Sequence, residues 1–414
     1  MKHSNYTIHQ TMTKIHHPVI LIIALLLISC EPEITEFAPQ SGNADFSNYV
    51  ALGCNHTAGM ANYELYKSGQ IVSYPNIISR QILHVGGSDF RQPLMRDELG
   101  LGKKITLGFL RNCQGDSVVW PVAAGGVPDE NNLLSIYADE GPFHNLGLPG
   151  AKITSLDLPL NAMSSYLYQY YIRFASSPNA SIIDDALSRK PTFFSLWIGM
   201  TDILDYALSG GTQNPIIDES DFDRYLNSIL ARMRSSATAG VIANIPDILK
   251  YPFFSHINGE GLWIEDEAGI DGKRQLRKGE LVLLTAHDLI LCQNYGLENK
   301  PLPANLYLSD IQVALIRRKT NEFNAIIRDS AQSQFMAHAN ISDLIDQIAE
   351  GVIYDGLAFN NNYISGGMFS LDGIGFTRRG NAIVANAFIQ AINARYRSTI
   401  PLVNVTQFQG IEYP

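Results

Sequence analysis

The sequence predicts an α/β protein: a central parallel sheet in a three-layer sandwich, with long loop insertions. Three observations predict it. Several apolar runs are too short for helices and rich in Ile, Val, Leu and Phe, the composition of strands buried on both faces. They alternate with stretches whose apolar residues recur at helical spacing, and such alternation implies right-handed crossovers and helices on both faces of the sheet. The connectors at residues 114–149 and 251–276 are rich in Gly, Pro and Asn and longer than ordinary loops, so they are expected to be insertions with local structure or pocket walls.

In chain order, the run YVALG at residues 49–53 is the first strand, and it leads into a Gly-flanked turn and a helix. An α/β protein presents a residue at the carboxyl end of its sheet in this way, so the pocket is expected at that turn. Further parallel strands are expected at 104–110 (KITLGFL), 193–198 (FFSLWI), 240–245 (GVIANI) and 280–284 (ELVLL). Helical spacing is carried by Leu160, Met163, Leu167 and Tyr171 within 158–173, where Pro159 suits a first turn. Tyr225, Leu226, Ile229, Leu230 and Met233 carry it within 222–235, and Ile311, Leu315, Phe323 and Ile327 within 309–332. A last helix is expected over 381–396, after the turn Asp372-Gly373-Ile374-Gly375. There is no internal repeat, and residues 46–414 read as one domain.

Upstream of that domain, Lys14, His16 and His17 precede VILIIALLLIS, an apolar run of signal-peptide length that is short for a membrane span. Residues 1–29 are therefore expected to be a leader. Ser29-Cys30 resembles a bacterial lipoprotein cleavage site with Cys30 as the lipidated residue, which implies an envelope location and a membrane partner through the lipid. Residues 30–45 begin acidic and Pro-interrupted, as a tether would.

Hydrophobic residues make up 46% of the chain and charged residues 17%, enough apolar material for a large core. The net charge of -10 and the absence of Lys/Arg clusters argue against nucleic-acid partners. Besides Cys30 there are Cys54, Cys113 and Cys292, an odd set far apart in sequence from which no disulfide framework is expected. Phosphate-binding loops, dinucleotide fingerprints and His-Glu-x-x-His are absent, and no cofactor or metal is expected.

Several blocks together resemble the SGNH/GDSL hydrolase family in its Bacteroidetes lipoprotein branch. They are Gly53-Cys54-Asn55-His56, the stretch from Leu65 to Met95, Asn145-Leu146-Gly147-Leu148-Pro149-Gly150, FFSLWIG, ANIPDI, and the tail FSLDGIGFTRRGNAIVANAFIQAIN. The resemblance implies a flavodoxin-like sandwich and acyl-ester hydrolysis. That reaction needs a Ser hydroxyl, a His to take its proton, a carboxylate to orient the His, and donors for the oxyanion.

Position by position, the resemblance places Asn55 where the family has its nucleophilic Ser. The family's Gly-x-Asn-Asp becomes Gly199-Met200-Thr201-Asp202, so Thr201 replaces the Asn donor. In the family's Asp-x-x-His turn, Asp372 remains and Gly375 replaces the His. Gly150 keeps its place as a backbone oxyanion donor. An amide has no proton that a base can remove to make a nucleophile, so the chain is expected to be catalytically impaired while retaining a pocket for an acyl or glycan ester, or a partner. An alternative is an active hydrolase that uses His56 or His144, both expected near the pocket, as base. Another is an envelope scaffold. Cys54, adjacent to Asn55, is expected to point into the packed side.

Overall fold

The computed structural model describes residues 38–237 and 239–414. The predicted leader, Cys30 and the first half of the acidic tether lie outside the described residues. Residues assigned to the end of the tether belong to the domain body: Gln40 and Thr399 exchange hydrogen bonds, and Asn43 N–H donates to the Tyr396 carbonyl.

Five strands form the central parallel sheet: β1 Tyr49–Gly53, β2 Asn145–Gly147, β3 Phe193–Trp197, β4 Ala239–Ala243 and β5 Ala337–Ala339. Their order is β5-β4-β3-β1-β2, the flavodoxin-like arrangement in which the strand order reverses between β1 and β3. All residues of β1, β3 and β4 are buried, which explains their continuous apolar runs. The two edge strands, NLG and AHA, are three residues each and offer no apolar run to find.

Two predicted sheet strands lie elsewhere. Residues 104–110 fall in Ile105–Arg111, one arm of an antiparallel hairpin with Ser117–Ala123. Its pattern of partial exposure shows a ribbon with one face to solvent, not a buried central strand. Residues 280–284 give Leu281–Val282, antiparallel to Tyr307–Leu308, and Val282 belongs to a satellite cluster with Ile264, Leu302 and Tyr307. Apolar content reported burial correctly there, but the run divides between two cores, since Leu283 and Leu284 belong to the main one.

The helices cover both faces. On one, α2 (Tyr74–Ile82) packs against α7 (Arg378–Tyr396), which lies on β4 and β5. Tyr396 Oη bonds both backbone groups of Gly240, at 3.0 and 2.8 Å. The other layer holds α3 (Ile182–Ser188), α5 (Glu219–Arg234) and α6 (Asp310–Ser333), with Phe222 and Phe323 stacked at 4.0 Å between α5 and α6. A Ser309/Gln312 capping box starts α6. The buried stripe of α6 is Val313, Ile316, Thr320, Phe323 and Ile327, whereas Ile311 is 77% exposed. Thr377 caps α7, which therefore begins three residues before the expected 381. The stretch 158–173 is not one helix: Leu160–Ala162 is a single 3-10 turn, and the Ser164 hydroxyl then caps Ser165–Tyr171.

Cys113 and Cys292 form a disulfide with Cα atoms 5.4 Å apart, contrary to the expectation from their spacing. It ties the 105–123 hairpin to the helix His287–Gln293. The hairpin and the helix meet in space although 179 positions of sequence separate the two cysteines.

Candidate functional site

In an open parallel sheet the crevice forms where neighbouring connections leave in opposite directions. Here that point lies between β1 and β3, beside the carboxyl ends that deliver Asn55 and Thr201. A cavity of about 430 Å³ opens there, and its wall includes Asn55, Gly150, Thr201, Asp372 and Gly375. The sheet thus gathers into one pocket residues that span more than 300 positions of sequence.

β1 ends at Gly53, and Cys54 is the N-cap of a short helix, α1 (Asn55–Ala58). The Cys54 side chain is buried and free, and burial pushes its thiol pKa up, so it is an inert packing group. Asn55 faces the cavity. Its Oδ1 accepts a hydrogen bond of 2.5 Å from the Gly150 N–H. Gly150 follows β2 with φ +79°, and a Cβ there would meet the Tyr166 ring at 2.5 Å.

β3 leads to Gly199, whose φ of +97° starts α4 (Met200–Leu208), and this places Thr201 on the pocket wall. Thr201 Oγ1 is buried and has no hydrogen-bond partner among the described residues. Next to it, Asp202 accepts from the Ile153 N–H at 3.0 Å, and burial pushes its pKa up to about 7.

Asp372 is fully engaged. Its Oδ1 accepts from Ser370 Oγ at 2.8 Å, Ile374 N–H at 2.9 Å and Gly375 N–H at 2.7 Å, and its Oδ2 accepts from Tyr63 N–H at 2.9 Å. It holds the turn together and pins Tyr63 to the pocket wall. Gly375 leaves no side-chain room: a Cβ would lie 2.7 Å from Ser370 Oγ and 3.0 Å from both Met60 O and Ala61 Cα.

The two histidines expected near the pocket part company. His56 lines it but is 2% exposed, stacked between Trp197 at 5.1 Å and Phe376 at 4.3 Å, and its Nε2 has no partner among the described residues. Burial lowers its pKa to about 3, so it is a poor proton acceptor. His144 is not in the pocket. It precedes β2, at the opposite end of that strand from Gly150, in a separate cleft with Arg91 and Arg189. A residue five or six positions before a pocket loop looks close in sequence, but an extended strand carries it to the other edge of the sheet.

Sequence reasoning missed Tyr63, Tyr166, Asp205, Phe253 and Thr285, which also line the wall, together with the apolar Met60, Leu204, Leu208 and Ile374. Tyr63 adopts φ +64°, a conformation that no local sequence pattern announced. Asp205 is paired with Lys152 at 3.0 Å. Chemically, position 55 has no hydroxyl or thiol, the Gly150 donor is already satisfied, and the one imidazole on the wall is a weak base.

No family model matches the chain, and no curated protein matches it. Among solved structures it is similar to LAE5, an alpha/beta hydrolase enzyme from the metagenome of Lake Arreo, Spain, at 9% identity and a TM-score of 0.40, over 84% of this chain and 96% of that one. It is also similar to Axe2, an acetylxylan esterase from Geobacillus stearothermophilus, at 10% identity and a TM-score of 0.38, over 86% and 98%. These likenesses are too loose to carry chemistry from one chain to the other.

Proposed function

We propose that this chain is a lipid-anchored envelope protein of SGNH/GDSL ester-hydrolase descent that binds an acyl or glycan ester without turning it over. The observation that carries the reading is the bond from Gly150 N–H to Asn55 Oδ1. In the family pattern, position 55 supplies the attacking oxygen and the Gly150 N–H receives the charge that develops on the carbonyl oxygen. One amide here removes the first and occupies the second. Replacement of the base by Gly375 completes the loss, while the cavity and its Tyr63, Tyr166 and Phe253 walls remain open to a ligand.

A glycan-borne ester is favoured by what adjoins the pocket. Past Tyr63 and Thr285, which line both spaces, lies a recess of about 220 Å³ walled by Trp120, Tyr363 and His287. Flat aromatic faces suit the apolar side of a sugar ring. The lipid anchor and envelope location rest on Ser29-Cys30 and the apolar run before it.

The test is an esterase assay on acetyl and longer p-nitrophenyl esters, paired with binding of acetylated oligosaccharides by calorimetry. The native protein is expected to bind and not to hydrolyse. Hydrolysis is expected only in the Asn55→Ser, Thr201→Asn, Gly375→His variant, in which the Ser370 hydroxyl must shift and Met60 and Ala61 must give way by a few tenths of an ångström. Turnover by the native protein at ordinary enzyme rates would overturn the reading. Failure to bind any ester would instead move an envelope scaffold role to the front.

A further inference from the structure

The cleft that holds His144 has a chemistry of its own. It lies at the amino end of β2, has a volume of about 710 Å³, and is lined by Arg91, Arg189, His144, Asp89 and the 47–48 turn. His144 is 4% exposed, and both its ring nitrogens face donors. The Arg91 backbone N–H points at Nδ1 at 3.0 Å, and Arg189 Nη2 lies 2.8 Å from Nε2. A neutral imidazole has one bare nitrogen, so either tautomer leaves an N–H facing another N–H. Protonating the ring makes both contacts repulsive.

The neighbouring charges add to this conflict. Arg189 Nε is buried with no partner among the described residues. Neither Arg91 nor Arg189 has a carboxylate within ion-pair distance among those residues; burial first, and then the charges of Arg189 and Arg91, push the imidazole pKa down, with Asp89 opposing. Burial, and after it the charge of Arg91, also lowers the pKa of Arg189. Asp89 is the one acid on the wall, and it opposes two guanidinium groups. In a chain of net charge -10, two arginines without a carboxylate partner among the described residues form a locally cationic site, although Arg91 Nη1 also lies 3.5 Å from the Gly141 carbonyl.

We propose that this cleft binds an oxyanion group, a sulfate, phosphate or carboxylate, held by the forks of Arg91 and Arg189 and by His144. Lone pairs placed between Arg189 Nη2 and the imidazole N–H resolve the donor conflict, and guanidinium geometry suits a two-oxygen contact. The site is separate from the Asn55 pocket and does not depend on the function proposed for it.

The test measures the melting temperature of the full-length protein in detergent, titrated with inorganic sulfate, inorganic phosphate, glucose 6-sulfate and glucose, against sodium chloride at matched ionic strength. A ligand of the folded state raises the melting temperature saturably. The expected result is such a rise with the oxyanions and none with glucose. Tighter binding of glucose 6-sulfate than of inorganic sulfate would identify a glycan-borne group as the ligand, and equal binding a free ion.

Arg91→Gln retains the backbone donor to His144 and is expected to weaken binding at least tenfold. Arg189→Gln is expected to abolish the response while leaving the anion-free melting temperature unchanged or higher, because a Gln carbonyl can accept from the imidazole N–H. An oxyanion response no larger than that of chloride, or one that persists unchanged in both variants, would overturn the proposal.

Discussion

Asp202 and His56 are neighbours of the pocket that burial drives in opposite directions. The Asp202 carboxyl titrates near 7 in the folded protein against an ordinary 3.8, so the folded state holds a proton that the unfolded chain has already released. Stability therefore falls as pH rises from about 4 to about 7. Asp202→Asn keeps an acceptor for the Ile153 N–H and removes the titration. Its melting temperature should exceed that of the native protein by more at pH 8 than at pH 4, as thermal denaturation followed by circular dichroism would reveal. For His56 the sign reverses. Its folded pKa is about 3 against 6.5, so the unfolded chain takes up a proton that the folded protein refuses, and stability is lost as pH falls below 6.5. His56→Phe preserves the stacks on Trp197 and Phe376 and removes an orphaned nitrogen. Its advantage in melting temperature should be larger at pH 4.5 than at pH 8, and an equal difference at the two values would show that the native ring is not buried neutral.

Among the elements, the 105–123 hairpin stands outside the central sheet. Its two arms pair mainly with each other, and many of its side chains are half-exposed. Two contacts fasten it to the helix His287–Gln293: the Cys113–Cys292 disulfide and the stack of Trp120 on His287 at 4.3 Å. Because the disulfide closes a long loop, its removal should cost roughly 2–4 kcal/mol. The loss should be local. In the Cys113→Ser, Cys292→Ser protein, hydrogen exchange is expected to accelerate across 105–123 and the recess beside Trp120, while β1, β3 and β4 keep their protection. Uniform acceleration across the sheet would mean instead that the staple supports the whole domain. The same element illustrates why the apolar run KITLGFL misleads as a predictor of a sheet strand: a hairpin arm with a partner a few residues away satisfies its backbone locally and never needs the central sheet.

At the scale of the whole molecule, the order β5-β4-β3-β1-β2 makes a site out of scattered residues. The sequence by itself determined the α/β class, since β1, β3 and β4 are buried on both faces and had to be continuous apolar runs. It also set the identities Asn55, Thr201 and Gly375, which no folding can alter. It was silent on the edge strands NLG and AHA, whose hydrogen bonds are made by backbone with little help from side chains. Only the tertiary structure decided that Asn55 Oδ1 closes on Gly150 N–H, that Tyr63 and Phe253 wall the pocket, that His144 sits at the far end of β2, and that Cys113 meets Cys292. The physical reason is common to all four. Local propensity and periodicity report which face of an element is buried, whereas the distance between two side chains depends on strand order and loop path, which are fixed by packing among residues far apart in the chain.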